Sequence, residues 1–441
     1  MADPITHRRV LRIALPIVLS NATVPLLAAV DTGVVGQMGA AAPIGAVGIG
    51  GITLTAIYWM FGFLRMGTTG LTANAIGAGQ SHEVAALLTR ALLIAATGGL
   101  ALILLQGPIF GAAFALSPAS PEVEELARAY MGIRIWSAPA AIAVFGITGW
   151  LIAQERTGAV LVVQVLMNGL NMGLDLLFVL GFDWGVSGVA TATLIAEWTG
   201  CLVGLWLCRA AFRVPAWRDW PRVFDRARLT RMAVVNRDIL IRSLLLEMIL
   251  VSFIYFGSDF GDVHLAANQV LMQFMFITAY AMDGFAFAAE AFVGQALGRR
   301  DRAALRRGGV MTGIWGGAIC VLMALVFALA GGMIIDLMAT APEVRLAARD
   351  YLPWMVAAPL AGCASWMFDG IFIGAARSRD MRNMMAVSFA IYCLAVVTLI
   401  PAFGNHGLWM ALLVSFIARG ATLAWKYPAL EASADLPPEA A

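Results

Sequence analysis

The chain has 441 residues, 61% of them hydrophobic and 13% charged, with a formal net charge of +2 and a mean hydropathy of +0.83. Soluble domains carry roughly a quarter charged residues, so this composition excludes an ordinary soluble domain and reads as an integral membrane protein. The single lysine, Lys426, leaves no Gly-Lys-Ser/Thr phosphate loop, which argues against an ATP-driven pump.

In chain order, apolar runs long enough to span a bilayer centre on about residues 22, 57, 100, 141, 170, 198, 246, 279, 319, 363, 392 and 416. That predicts an all-α membrane protein of twelve helices, with no alternating barrel pattern. The first run follows "THRRVLR", which looks like the start of a signal peptide. Its apolar pattern continues past any cleavage site, so it is expected to be the first span. It holds Pro16, Pro25 and then Asp31; each proline removes a backbone donor, and Pro25 is the candidate hinge below Asp31. The second run carries Arg65 and is preceded by "GAVGIGG", which mimics a dinucleotide loop but follows no strand and is better explained by close helix packing.

The fifth run carries Asn168, Asn171 and Asp175 at spacings of three and four, which places all three on one helix face. At 1.5 Å per residue, Asp31 and Asp175 each lie roughly 24–28 Å along their helices, at similar depth. The sixth run carries Thr191, Thr193 and Glu197. A polar, proline-containing connector at 216–232 then separates a first lobe, 1–215, from a second, 233–441. In the second lobe Arg242 and Glu247 fall in helix 7, Asp283 and Glu290 on one face of helix 8, Asp369 in helix 10 and Arg419 in helix 12. Ionisable residues inside spans are functional candidates, and for Glu247, Asp283, Glu290 and Asp369 the competing expectation is pairing with Arg242 or Arg65.

The strongly basic stretches "THRRVLR", the connector, "GRRDRAALRR" and "ARSRDMR" all fall on one side of a twelve-helix count. The positive-inside rule makes that side, and both termini, cytoplasmic. Abundant arginine with almost no lysine points to a high-GC bacterial genome and hence to an inner membrane. The five cysteines lie in apolar runs without a C-x-x-C pair, and the four histidines are scattered, so neither a disulfide framework nor a metal site or cofactor is expected.

The halves look like copies. "PEVEELARAYMGIRIWSAPAA" from Pro121 matches "PEVRLAARDYLPWMVAAPLA" from Pro342, pairing Arg128 with Arg349 and Tyr130 with Tyr351. The offset pairs helix n with helix n+6, a parallel repeat of six helices.

The segments "VDTGVVGQMG", "FGFLRMGTTGLTA", "NMGLDLLFVLG", "NRDILIRSLLLE", "AYAMDGFAFAAEAFVGQALG" and "FDGIFIGAARSRDMRN", in order and spread over residues 8–428, resemble a multidrug and toxic compound extrusion (MATE) transporter of the DinF-like branch. The resemblance implies a V-shaped fold of two six-helix lobes and export of organic, often cationic compounds against inward flow of protons, with sodium as the alternative ion. It also implies an N-lobe cation site at Asp31, Asn171 and Asp175 with a helix 6 threonine. Thr193 is the best match, Thr191 the alternative, and Asn168 extends the stripe. Glu247 and Asp369 resemble acids of the sodium-coupled branch. The expected partners are small cationic or amphipathic organic substrates and membrane lipids, with no nucleic acid, and the expected state is a monomer. Two other readings are a lipid-linked oligosaccharide flippase of the same superfamily and an intramembrane enzyme using Asp283 and Asp369. The first needs a basic central cavity, and the second is not expected because no enzyme motif is visible.

Overall fold

In hydrocarbon every backbone amide must find its partner inside the chain, so long apolar runs become helices. The computed structural model describes residues 4–117 and 119–435. Among them are twelve helices long and apolar enough to cross a membrane: α1 (His7–Gly36), α2 (Ala41–Gly77), α3 (Ser81–Leu104), α4 (Pro121–Ala153), α5 (Thr157–Gly181), α6 (Gly185–Leu207), α7 (Arg226–Ser258), α8 (Asp262–Arg299), α9 (Arg302–Met338), α10 (Pro342–Gly374), α11 (Ser378–Phe403) and α12 (Asn405–Asp435). The third span lies earlier than the apolar run suggests. It ends at Leu104, and a separate short helix, Gln106–Leu116, takes up the rest of the run. Pro108 explains the break, because it has no N–H to give the Leu104 carbonyl.

Three spans depart from α geometry partway along. α2 tightens at Met60–Gly62 and α4 at Ile135–Ser137, while α5 widens into a π-helical turn over Leu176–Gly181, directly after Asp175. In α4 the cause is Pro139, which leaves the preceding turn a donor short. The Arg134 carbonyl there accepts from the Tyr58 hydroxyl at 3.1 Å and the Ser137 hydroxyl at 2.7 Å. α1, by contrast, runs unbroken through Pro16 and Pro25.

By contact the chain forms two units. The amino-terminal unit comprises Leu19–Thr72 and Gln80–Thr230; the carboxy-terminal unit comprises the described chain up to Val18, Ala73–Gly79 and the chain from Arg231 on. The first half of α1 and the tip of α2 thus pack with α7–α12. Leu54, Tyr58, Phe110, Met131 and Val186 contribute to the core of the amino-terminal unit, and Phe253, Phe274, Tyr392 and Trp409 to that of the other. In the second core Asn268 and Asn405 exchange side-chain hydrogen bonds at 2.8 and 3.0 Å, and the Trp409 indole donates to Asn268 at 2.9 Å.

The α2 tip is held closely in the carboxy-terminal unit. A Cβ on Gly77 would lie 2.0 Å from the Gln295 carbonyl, and one on Gly298 2.1 Å from the Asn74 carbonyl, so only glycine permits these backbones to meet. Asn74 Nδ2 donates to the Gly374 carbonyl at 2.8 Å.

The connector is anchored on α3. Arg90, 2% exposed, donates from Nε to the Val223 carbonyl at 2.9 Å and from Nη2 to the Arg222 carbonyl at 2.7 Å. Thr89 donates to the Trp217 carbonyl at 2.8 Å. Glu83 accepts from Arg90 Nη1 at 2.6 Å and also pairs with Arg228.

Candidate functional site

The helical period of α5 sets Asn168, Asn171 and Asp175 along one buried face, at 3%, 4% and 0% exposure. Polar groups at such depth need partners from neighbouring helices. Asn168 Nδ2 donates to Thr23 Oγ1 of α1 at 2.7 Å, and Thr23 passes its own proton back to the Ser20 carbonyl at 2.7 Å. Asn171 Nδ2 donates to Asp175 Oδ2 at 3.0 Å and lies 3.4 Å from Thr193 Oγ1 of α6. Of the two threonines it is therefore Thr193 that meets the stripe. Thr191 Oγ1 donates to the Ser187 carbonyl of its own helix at 2.7 Å.

Asp31 of α1, half-buried, brings its carboxyl into hydrogen-bonding contact with that of Asp175. In each aspartate Oδ1 is buried without a donor. Two carboxyl groups make such a contact only with a proton between them, since two bare carboxylates repel. The cluster thus offers acceptors in excess of donors, which suits it to take up a proton or a small hard cation.

A residue not singled out in the sequence completes this region. The Arg134 charge acts on both Asp31 and Asp175. Its Nη1 donates to the Tyr130 hydroxyl at 3.1 Å and its Nη2 lies 3.6 Å from Glu197 Oε1, with the two charged side chains 12% and 15% exposed. Its position four residues after Tyr130, inside the run leading into a span, was the available signal. Placing helix 4 around residue 141 puts Arg134 near the span's edge, whereas α4 begins at Pro121 and carries it inward.

The acids of the carboxy-terminal unit are placed differently. Asp369, 7% exposed, accepts from Arg242 and lies 3.7 Å from Arg419 Nη2. Glu247 stands on a face of α7 with Leu244, Met248, Val251, Ser252 and Tyr255, bordering a cavity of about 390 Å³. Asp283 is half-buried near Tyr280. Glu290 is 1% exposed where the α8 and α10 backbones touch, a Cβ on Gly374 falling 2.3 Å from the Glu290 carbonyl. Among the described residues, no group of three or more His, Cys, Asp or Glu side chains is arranged to hold a metal ion. Pro25 lies six residues before Asp31 in α1, beyond the point where that helix passes from one unit to the other.

A family model described as MatE matches residues 16–177 and 239–399. The DNA damage-inducible protein F of Escherichia coli (strain K12) is 39% identical over 421 residues, covering 93% of this chain and 90% of that protein. A probable multidrug resistance protein NorM of Bradyrhizobium diazoefficiens is 24% identical over 440 residues, covering 93% and 91%. Among solved structures, the Vibrio cholerae MATE transporter VcmN in its bent form superposes with a TM-score of 0.84 at 20% identity, covering 97% of this chain and 98% of that one.

Proposed function

The chain belongs to the MatE family, and from that premise we propose that it is a secondary antiporter exporting small cationic or amphipathic organic compounds in exchange for protons. The observation that carries the coupling role is the contact between the Asp31 and Asp175 carboxyls, with their unpartnered Oδ1 atoms. A proton entering from the outer side is shared by the two carboxyls. That proton removes one of the pair's two negative charges, which lowers the cost of enclosing it, and α1 bends at Pro25 as the site closes. Asn171 holds Asp175 and Thr193 in register, and Asn168 ties α5 to α1 through Thr23. Sodium is the alternative ion, since the same oxygens suit a hard cation. The arginine-rich loops and both termini face the cytoplasm of a bacterial inner membrane.

The test uses proteoliposomes loaded with ethidium, with proton and sodium gradients imposed separately. Efflux is expected to follow the pH gradient and to fall at least tenfold in Asp31→Asn and Asp175→Asn. Efflux unchanged in Asp31→Asn, or undiminished after the pH gradient is collapsed, overturns proton coupling. Efflux driven by sodium alone replaces the proton with sodium.

A further inference from the structure

In the interior of the carboxy-terminal unit, Arg242 of α7, Asp369 of α10 and Arg419 of α12 meet at 6%, 7% and 3% exposure. Asp369 Oδ2 accepts from Arg242 Nη2 and lies 3.7 Å from Arg419 Nη2. Arg419 Nη2 also donates to the Ser365 hydroxyl at 2.8 Å, and that hydroxyl donates to the Gly362 carbonyl at 2.8 Å. Two guanidinium groups therefore share one carboxylate. Among the described residues, the acid within ion-pair distance of Arg242 and of Arg419 is in both cases Asp369. Guanidinium does not give up its proton inside proteins. The cluster holds one positive charge more than it balances, at a depth where an unmatched charge is expensive. A second observation points the same way: Nε of Arg242 and Nε of Arg419 are both buried without an acceptor. A packing role needs only one arginine per acid; here there is a spare arginine and two unused N–H donors.

We propose that Arg242, Asp369 and Arg419 form a binding site for a monovalent anion, either a halide ion or the carboxylate of an organic molecule. The anion accepts from the unused guanidinium N–H groups and cancels the surplus charge, while Asp369 competes with it for the same donors. Removing the Asp369 charge must therefore strengthen anion binding, whereas removing an arginine must weaken it. A purely structural ion pair predicts no such opposite effects.

The experiment uses the purified full-length protein in detergent. Sodium chloride is titrated against sodium methanesulfonate, which is neither a halide nor a carboxylate, at constant ionic strength, with intrinsic tryptophan fluorescence and melting temperature as readouts, and sodium benzoate is titrated in a second arm. The expected result is a saturable change for the unmodified protein, an apparent Kd at least tenfold weaker in Arg419→Gln, and one at least threefold tighter in Asp369→Asn. Arg128→Gln, which alters an exposed pair with Glu124, keeps the original Kd. Saturation by chloride with benzoate inert assigns the site to a halide; competition by benzoate assigns it to a carboxylate. No saturable effect of either anion, or the same Kd in Asp369→Asn as in the unmodified protein, overturns the proposal. The Asp369→Asn arm decides the matter even if Arg419→Gln does not fold.

Discussion

Asp175 has no exposure to solvent, so its carboxyl depends on neighbouring side chains and not on water. Asn171 is one such neighbour, and Asn171→Ala withdraws a donor from a buried carboxylate at a cost of about 1–3 kcal/mol. Dye efflux in Asn171→Ala is expected to fall about tenfold, while Asn171→Asp, which adds a third acid, abolishes it. Thr193→Val is expected to reduce efflux and Thr191→Val to leave it unchanged, since only Thr193 reaches Asn171. The α5 stripe was legible in the sequence because helical periodicity alone puts 168, 171 and 175 on one face. The contact of Asp31 with Asp175 was readable only as a shared depth, because spacing says nothing of how two helices are rotated about their axes. Arg134 was hidden for a different reason. A strongly polar stretch, "PEVEE", opens α4, and a polar start reads as loop, although here it is the first turn of a helix that carries the arginine inward.

At the scale of elements, close helix contacts rest on glycine. Gly298→Ala places a methyl group 2.1 Å from the Asn74 carbonyl, which forces α8 from the α2 tip. Overpacking of this kind costs about 1–3 kcal/mol, and the melting temperature in detergent is expected to drop by several degrees. Gly313→Ala, where the added methyl meets nothing within 4 Å, serves as the neutral comparison. The connector gives a second prediction. Arg90→Ala removes the donors to the Arg222 and Val223 carbonyls and leaves Glu83 with less of its positive neighbourhood. Trypsin is then expected to cut at Arg213, Arg218 or Arg222 several-fold faster than in the unmodified protein; equal rates would show that Thr89 and Arg228 suffice. Hydropathy made all twelve spans visible. It misplaced the third because it counts apolar residues and ignores the proline that ends the helix.

For the whole molecule, the parallel repeat preserves backbone pattern while the buried chemistry diverges. Tyr130 and Tyr351 match in sequence and are both buried, yet one accepts from Arg134 and the other hydrogen-bonds to His264 at 3.0 Å. Around its polar cluster the amino-terminal unit sets Asp31, Asp175 and Glu197 against Arg134, and the carboxy-terminal unit sets Arg242 and Arg419 against Asp369. Of these two clusters, one is short of positive charge and the other has it to spare. The repeat was legible from "PEV" and its neighbours; this inversion was not, since it depends on which charges share a pocket. Helix α1 belongs to the carboxy-terminal unit up to Val18 and to the amino-terminal unit from Leu19. Pro25→Ala restores a backbone donor beyond that crossing and stiffens the helix. The expected outcome is efflux reduced about tenfold with the melting temperature unchanged or raised; undiminished efflux would remove Pro25 from the mechanism.

The π-helical turn after Asp175 inserts, in effect, one residue into the winding of α5. Phe182 N–H reaches back to the Leu177 carbonyl at 3.0 Å, and Trp184 N–H to the Phe178 carbonyl at 2.9 Å, instead of to the residue four earlier. One residue corresponds to about 100° of helix phase. The Phe178–Trp184 aromatic pair, with ring centroids 4.8 Å apart, ties this widened turn to the residue that precedes α6. A helix wheel drawn from the sequence keeps time only as far as Asp175. Deleting Leu176 or Leu177 would reset that clock, carrying Phe178 about a quarter-turn around the axis while leaving Asn168, Asn171 and Asp175 in step.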